Sequence, residues 1–396
     1  MDITPCDTLI INKYRKGIDS SQFFKNIPVK LQEIFQRDIK LFKKSYQYMK
    51  IAFIISNNFS VYSLYKPLIE ELSSRDIPFI FIVPEKYLDD IKMIFNMQDN
   101  VMCDIADINM LDVTHVIYQL CYNCLYEEGK RSYNIKKKYT HITICYYNYG
   151  YSLLNHDFLE GCGYNEDFFN FCDIFFLENE LNVQHYRKRI KNKNVKLQAI
   201  GCMKMTQLYK SLNNPKKNPR ELFYVMWCPR WHTNLNMCSY NKYANYLIDF
   251  INENKTVCLL FRPHPLHNYK YTEIIEASNK NERIIIDLDK EYSDQFSYID
   301  CFISDPSSLL AEASGCNIPI IYTTASENVF TEFGDILQES FYIVKNEEEI
   351  SNALYDLISL KDPKKNIREE IINKYYKIYK NPEKLLIDEI GKRFNQ

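Results

Sequence analysis

The sequence predicts an α/β protein made of two doubly wound domains that face a central cleft. Two observations lead there. From residue 50 onward, short runs rich in Ile, Val, Phe and Tyr alternate with helical patterns, which is how a parallel sheet covered on both faces reads. The alternation breaks at "KSLNNPKKNPRE" and then restarts, and 396 residues exceed what one core of about 100–200 residues holds. The predicted boundaries are an N-terminal domain over 1–210, a linker over 211–221 and a C-terminal domain over 222–396.

Residues 28–50 come first among the elements. Leu31, Ile34, Phe35, Ile39 and Phe42 form a helical stripe with Lys30, Arg37, Lys40, Lys43 and Lys44 on the other faces. Such a helix packs on its own domain or lies on an anionic membrane surface. "MKIAFIIS", "IPFIFIV", "THVIYQL", "HITICYY" and "CDIFFLE" read as strands, while "SLYKPLIEELSSR" and "YLDDIKMIFN" read as helices. Past the linker, "LFYVMWC", "TVCLLF", "RIIIDL", "CFIS" and "IPIIYT" are strands and "NKYANYLIDFINEN" is a helix. The last stretch, "IREEIINKYYKIYKNPEKLLIDEIGKRF", is helical with Pro382 interrupting it, and these helices are placed back against the N-terminal domain.

Composition narrows the function. With 46% hydrophobic and 25% charged residues the chain is globular, and a net charge of -2 argues against nucleic acid as the partner. Thirteen scattered cysteines and the opening "MDITPCDTLI" point to a reduced, cytoplasmic protein. The pair Cys121 and Cys124 has no second pair at zinc spacing, so no metal site is expected. The longest apolar runs fall far short of the roughly 20 residues of a membrane span. Neither half contains a P-loop or a GxGxxG.

Three strand ends in the C-terminal half carry polar clusters, where ligands bind in open α/β sheets. "WCPRWHTN" supplies Arg230 and His232, and "FRPHPLH" supplies Arg262 and His264, the latter held between two prolines. In "ISDPSSLLAEASG", Ser307 or Ser308 is the expected N-cap of a helix closed near Gly315. Each serine alone reads as a cap, and Arg230 alone as a surface charge. Together, two arginines, a histidine and a helix start suit a diphosphate, whose charge they offset without a metal. Glu312, on the same helix, is placed to accept from ribose hydroxyls. The inferred ligand is a nucleotide-activated donor, and no other cofactor is required.

The residues "CPRWH", "RPHP" and "SDPSS", the last followed by Glu312 and "NIPIIY", resemble the CDP-glycerol glycerophosphotransferase family of teichoic-acid and related surface-polymer assembly. The resemblance covers roughly residues 140–325 and implies the two-domain GT-B architecture and a CDP-linked donor. It implies that Arg262 and His264 contact the donor phosphates, that Ser307 and Ser308 hold the diphosphate, and that Glu312 contacts the ribose. Arg230 precedes Trp231 here, an order that differs from the family's. The family also places a His-Gly pair at a strand end facing the cleft, with the histidine as base. This chain has Tyr149 and Gly150 there, and a tyrosine of pKa about 10 is a poor base at neutral pH. Either the base has moved, with His156 or Asp157 as the nearest candidates, or the chemistry differs.

The expected activity is therefore transfer of glycerol phosphate, or a related polyol phosphate, to a glycan or lipid-linked acceptor of a bacterial surface polymer or capsule. The alternatives are a glycosyltransferase using a nucleotide sugar, a hydrolysing sugar-nucleotide epimerase, and a non-catalytic nucleotide-binding partner subunit. Basic runs at 136–138 and 187–196 lie in the acceptor half, where they suit a phosphorylated acceptor at the inner face of the plasma membrane or are simply solvated.

Overall fold

A computed structural model describes residues 49–55, 61–97, 100–103, 113–119, 141–154, 172–214, 222–230, 238–264, 270–289, 291–323 and 329–394. The first half contains β1 (Ile51–Ile54), α1 (Val61–Ser74), β2 (Phe79–Val83), α2 (Leu88–Phe95), β3 (Val101–Cys103), β4 (His115–Tyr118), β5 (Thr143–Tyr147), β6 (Ile174–Leu177), α3 (Glu180–Arg189) and β7 (Lys196–Ala199). A helix α4 (Met203–Asn213) leads out of it. The second half contains β8 (Phe223–Cys228), α5 (Ser239–Glu253), β9 (Val257–Phe261), α6 (Thr272–Lys280), β10 (Ile284–Ile286), β11 (Cys301–Ser304), α7 (Leu309–Gly315) and β12 (Ile320–Thr323). It closes with α8 (Glu332–Gln338), β13 (Phe341–Val344), α9 (Glu347–Ile358), α10 (Lys365–Tyr375) and α11 (Pro382–Phe394).

Seven strands form the first sheet in the order β3-β2-β1-β4-β5-β6-β7, and six form the second in the order β10-β9-β8-β11-β12-β13. Every pairing between them is parallel. The central strands β1, β2, β4, β6, β9, β11 and β12 are buried at every position, which is why they read as continuous apolar runs. Each buried Ile or Phe contributes about 1.5–3 kcal/mol. Much of the aromatic content goes into this packing. Phe53, Tyr65, Phe79, Phe81 and Phe95 form one ring cluster beside β1 and β2, with Phe81 and Phe95 stacked at 5.2 Å.

The chain order reverses direction between β1 and β4 in the first sheet and between β8 and β11 in the second. Helices leave opposite faces at such points and open a crevice at the carboxyl ends of the strands. The three clusters identified in the C-terminal half lie at the ends of β8, β9 and β11, around the second of these crevices.

Several segments join the halves. Cys202, Met205 and Leu208 around α4 share a core with Leu310, Ala313 and Tyr376 of the second half. Tyr151 and Leu153, just past β5, enter the same core, and Tyr151 stacks on Phe333 at 5.7 Å. Thr331 donates from its backbone to Leu153 O at 2.8 Å and from its hydroxyl to Ser152 O at 2.9 Å. In return α11 buries Leu386, Ile387 and Ile390 in the first half's core, and its Asp388 accepts from Arg75 of α1 at 2.6 Å. Gly201 sits at one such close contact. Its φ is +93°, and a Cβ there would meet the Tyr379 Cβ at 2.5 Å.

The structure corrects several boundaries. α4 runs through Asn213, into the span read as linker, and residues 215–221 lie outside the described residues. Pro382 opens α11, since the first helical position needs no N–H, and does not interrupt a continuous helix. The basic run at 187–196 closes α3 and begins β7: Arg187 donates to Val195 O at 2.7 Å, Lys193 to Ile190 O at 3.1 Å, and Lys196 pairs with Glu389. Cations at a helix C-terminus satisfy its last carbonyls. The helix expected from residue 28 falls outside the described residues up to 48, as do Cys121, Cys124 and the run at 136–138. Among the described residues no helix is long and apolar enough to cross a membrane.

Candidate functional site

The edge of the second sheet is organised by Asp305, immediately after β11. Its Oδ2 accepts from the backbone N–H of Arg230 at 2.7 Å and of Ser239 at 2.9 Å, and its Oδ1 accepts from the Thr323 hydroxyl. Burial raises its pKa, opposed by these hydrogen bonds. Asp305 thereby fixes the end of β8, the start of α5 and the end of β12 relative to one another. The sequence motif contained this residue, but its role as a tie emerges only from the three elements around it. Arg230 is half-buried and placed by that tie, whereas Trp231 and His232 lie outside the described residues.

Arg262 follows β9. Its Nη1 donates to Asp287 Oδ2 at 2.6 Å, its Nη2 donates to Asp289 O at 2.7 Å, and its guanidinium lies 5.3 Å from the centroid of Tyr292. The loop after β10 thus holds the fork in one plane, which is how an arginine is prepared for a planar anion. His264 is half-buried two residues on, and the chain from Pro265 to Tyr269 lies outside the described residues.

At α7 the two serines divide their roles. Ser307 Oγ accepts from Leu309 N at 3.2 Å, while Ser308 occupies the N-cap position without a side-chain capping bond. Glu312 is fully buried, and both of its oxygens are engaged: Oε1 by the Lys204 ammonium at 3.3 Å and Oε2 by the Tyr292 hydroxyl. The carboxylate that the sequence offered to a ribose is therefore ion-paired within the protein.

Across the cleft, Tyr149 and Gly150 follow β5, two and three residues past its end. Lys204 Nζ stands 5.8 Å from the Tyr149 ring centroid. A Cβ on Gly150 would meet Ser308 Cβ and Oγ at 3.2 Å, so the glycine lets the two halves meet at the start of α7. Glu291, from the loop after β10, is pushed up to about 7 by burial, opposed by Lys204, Arg262 and the Ser63 backbone N–H of α1. His156 and Asp157, the other candidates for the base, lie outside the described residues.

Deeper in the first sheet's edge is a network that sequence reasoning missed. Glu178, at the end of β6, accepts from Asn148 Nδ2 and from Asn182 Nδ2 at 2.8 Å. Asn148 Nδ2 also reaches Ser152 Oγ at 2.7 Å, which is 3.2 Å from the Tyr186 hydroxyl. Burial pushes Glu178 up to about 7 against these hydrogen bonds. Among the described residues no group of three or more His, Cys, Asp or Glu is arranged to hold a metal.

No protein-family model matches the chain, and no curated protein sequence matches it. Solved structures do. The chain is similar to S. aureus MnaA in complex with UDP, at TM-score 0.65 and 15% identity over 88% of this chain and 97% of that one. It is similar to a UDP-GlcNAc 2-epimerase from Neisseria meningitidis bound to UDP-GlcNAc, at TM-score 0.61 and 13% identity over 87% and 100% of the two chains. A variant of the wall teichoic acid polymerase TagF soaked with CDPG matches at TM-score 0.59 and 15% identity over 96% and 99%. The fold is GT-B: two parallel, doubly wound α/β domains whose sheet edges face each other.

Proposed function

We propose that the chain is a GT-B transferase of cell-surface polysaccharide biosynthesis. It moves glycerol phosphate, or a related polyol phosphate, from a CDP-activated donor to a glycan or lipid-linked acceptor. The observation that carries this is the meeting of Arg262, Ser308 and Glu312 with Gly150 and Lys204 where the two sheet edges face. Such a place offers cations to a diphosphate, a carboxylate to a ribose and an opening for an acceptor from the other half. The resemblance of "RPHP" and "SDPSS" to the glycerophosphotransferases and the fold shared with TagF support the choice of donor.

In this reading the acceptor hydroxyl oxygen attacks the donor phosphorus that carries the glycerol. A new P–O bond forms, the bond to CMP breaks, and CMP leaves with that electron pair on its phosphate. The hydroxyl proton passes to a base, for which His156 and Asp157 are the candidates, with Tyr149 at the strand end itself. Arg262 and His264 offset the charge on the leaving phosphate, and with protein cations in that role no metal is required. The work takes place at the cytoplasmic face of the membrane that carries the acceptor.

A second reading is favoured by one observation: Tyr149 stands where a histidine base was expected, in a fold shared with UDP-bound proteins and an epimerase. The donor is then a nucleotide sugar: in a glycosyl transfer an acceptor hydroxyl attacks its anomeric carbon and the nucleoside diphosphate leaves, and a hydrolysing sugar-nucleotide epimerase is the other enzyme of this class. A chain that binds nucleotide without turnover is instead the partner subunit of another enzyme. Incubation with CDP-glycerol and a membrane extract containing acceptors distinguishes these readings. Release of CMP that requires acceptor and disappears in Arg262→Ala is expected. Turnover of a UDP-sugar with no CMP release would replace the first reading by the second.

A further inference from the structure

Lys204 is a buried ammonium between the two halves to which the sequence assigned no role. It lies in the first turn of α4, and its side chain is 3% exposed. Of its three N–H donors, one reaches a hydrogen-bond acceptor among the described residues, Glu312 Oε1 at 3.3 Å, a long contact for an ion pair. Burial works against the charge, but the Glu312 carboxylate beside it holds the pKa of Lys204 above its ordinary value, so the lysine is charged at neutral pH. A desolvated cation with donors to spare is costly to a fold.

The surroundings show where those donors can go. The position a Gly150 Cβ would occupy is 3.9 Å from Lys204 Nζ and 3.2 Å from Ser308 Oγ, so no side chain from residue 150 separates the ammonium from the serine. Tyr292 donates to the second oxygen of Glu312 and carries Arg262 over its ring, which sets the guanidinium on the same cluster. Lys204, Glu312, Ser308 and Arg262 thus converge where the two halves meet, with Glu291 a further carboxyl that interacts with both cations.

We propose that Lys204 is a phosphate-binding cation held in reserve by Glu312: ribose hydroxyls that take Glu312 release the ammonium onto the diphosphate of the same nucleotide. The inference rests on the nucleotide-donor reading above. Neither charge is stranded in the exchange. Glu312 trades one ammonium for two hydroxyl donors, and Lys204 trades a carboxylate for a phosphate. A nucleoside without phosphates breaks the pair and gives nothing back to Lys204. The two ends of the donor are therefore read jointly, by residues from both sides of the cleft.

The test is the ratio of diphosphate to nucleoside affinity, measured by calorimetry with CDP and cytidine and, in parallel, with UDP and uridine. Lys204→Met is expected to weaken the diphosphate at least about tenfold while leaving the nucleoside unchanged or tighter, and Lys204→Arg to restore most of the ratio. The double variant Lys204→Met with Glu312→Gln carries no stranded carboxylate and is expected to show the same lowered ratio, even where the single variant does not fold. Equal weakening of both ligands, with the ratio kept within about twofold of wild type, would overturn the role of Lys204 and leave the donor site standing. A wild-type chain that binds neither diphosphate overturns both.

Discussion

At the edge of the second sheet Arg262 is clamped by Asp287, Glu312 is paired with Lys204, and Asp305 ties three elements together. At the edge of the first sheet Glu178 is surrounded by the amides of Asn148 and Asn182, with the hydroxyls of Ser152 and Tyr186 next in line. The winding order is the same through the first three strands and the reversal of both sheets. One edge is wired with full charges in pairs and the other with amides and hydroxyls around a carboxyl near 7. The fold supplies two crevices, and the residues at the strand ends decide what each can hold. Paired charges suit an anionic diphosphate that exchanges with them, and neutral donors and acceptors suit a hydroxylated acceptor.

The largest effect is expected from Asp305→Ala, which leaves the backbone N–H groups of half-buried Arg230 and buried Ser239 and the Thr323 hydroxyl without their acceptor. Urea denaturation is expected to show a loss of about 3 kcal/mol or more, together with loss of nucleotide binding. An unchanged midpoint would mean the charged edge does not depend on this tie. Next is Gly201→Ala, strained by its positive φ and by the Tyr379 Cβ at 2.5 Å. It is expected to cost about 2–3 kcal/mol, because backbone has to move where α4 meets the C-terminal helices.

Arg262→Ala breaks the comparison on the charged side. Nucleotide affinity is expected to fall about 10–100-fold with a smaller change in stability, as for the loss of charge-assisted hydrogen bonds. Glu178→Gln sharpens it on the neutral side. Because Glu178 is pushed from 4.5 to about 7, the folded chain binds a proton that the unfolded chain releases between those values. That contribution to stability is full below about 4.5 and lost as pH rises through about 7, by up to about 3 kcal/mol. The glutamine variant removes this slope, and Asn182, whose buried Oδ1 has no hydrogen-bond partner among the described residues, can turn its amide to accept from the new NH₂. Urea midpoints at pH 5 and pH 8 read the difference; an unchanged slope in the variant would assign the titration elsewhere. The smallest effect is that of Gly150→Ala, whose Cβ would press on Ser308 at 3.2 Å. Stability is expected to change by less than about 1 kcal/mol, with a several-fold loss of nucleotide affinity.

The central strands were legible because burial on both faces leaves uninterrupted apolar runs, as in "TVCLLF", which contains β9. β7 was not, since "KLQA" is only half-buried at a sheet edge and its lysine merged with the basic run before it. α4 hid for a related reason: its last turn is polar and runs into the Asn- and Pro-rich stretch. In the site, Arg262, Ser308 and Glu312 were visible as polar residues at strand ends. Their partners were not, because Lys204 is 108 residues from Glu312 and Asp287 is 25 from Arg262. A lysine between two methionines in "GCMKM" was the available signal for a buried cation. Glu178 read only as the last residue of the strand "CDIFFLE", and the convergence of β5, β6 and α3 is what makes it a buried acid.

The central claim is that the charged edge of the second sheet holds a nucleoside diphosphate through Arg262. Calorimetric titration of the purified chain with CMP, CDP, UDP and GDP, with and without magnesium, alongside Arg262→Ala, tests it directly. The account predicts binding without magnesium, strongest for a cytidine nucleotide and lost in the variant. Preference for UDP or GDP would contradict the glycerophosphotransferase reading, and binding that survives in Arg262→Ala, or no binding by wild type, would contradict the donor site itself.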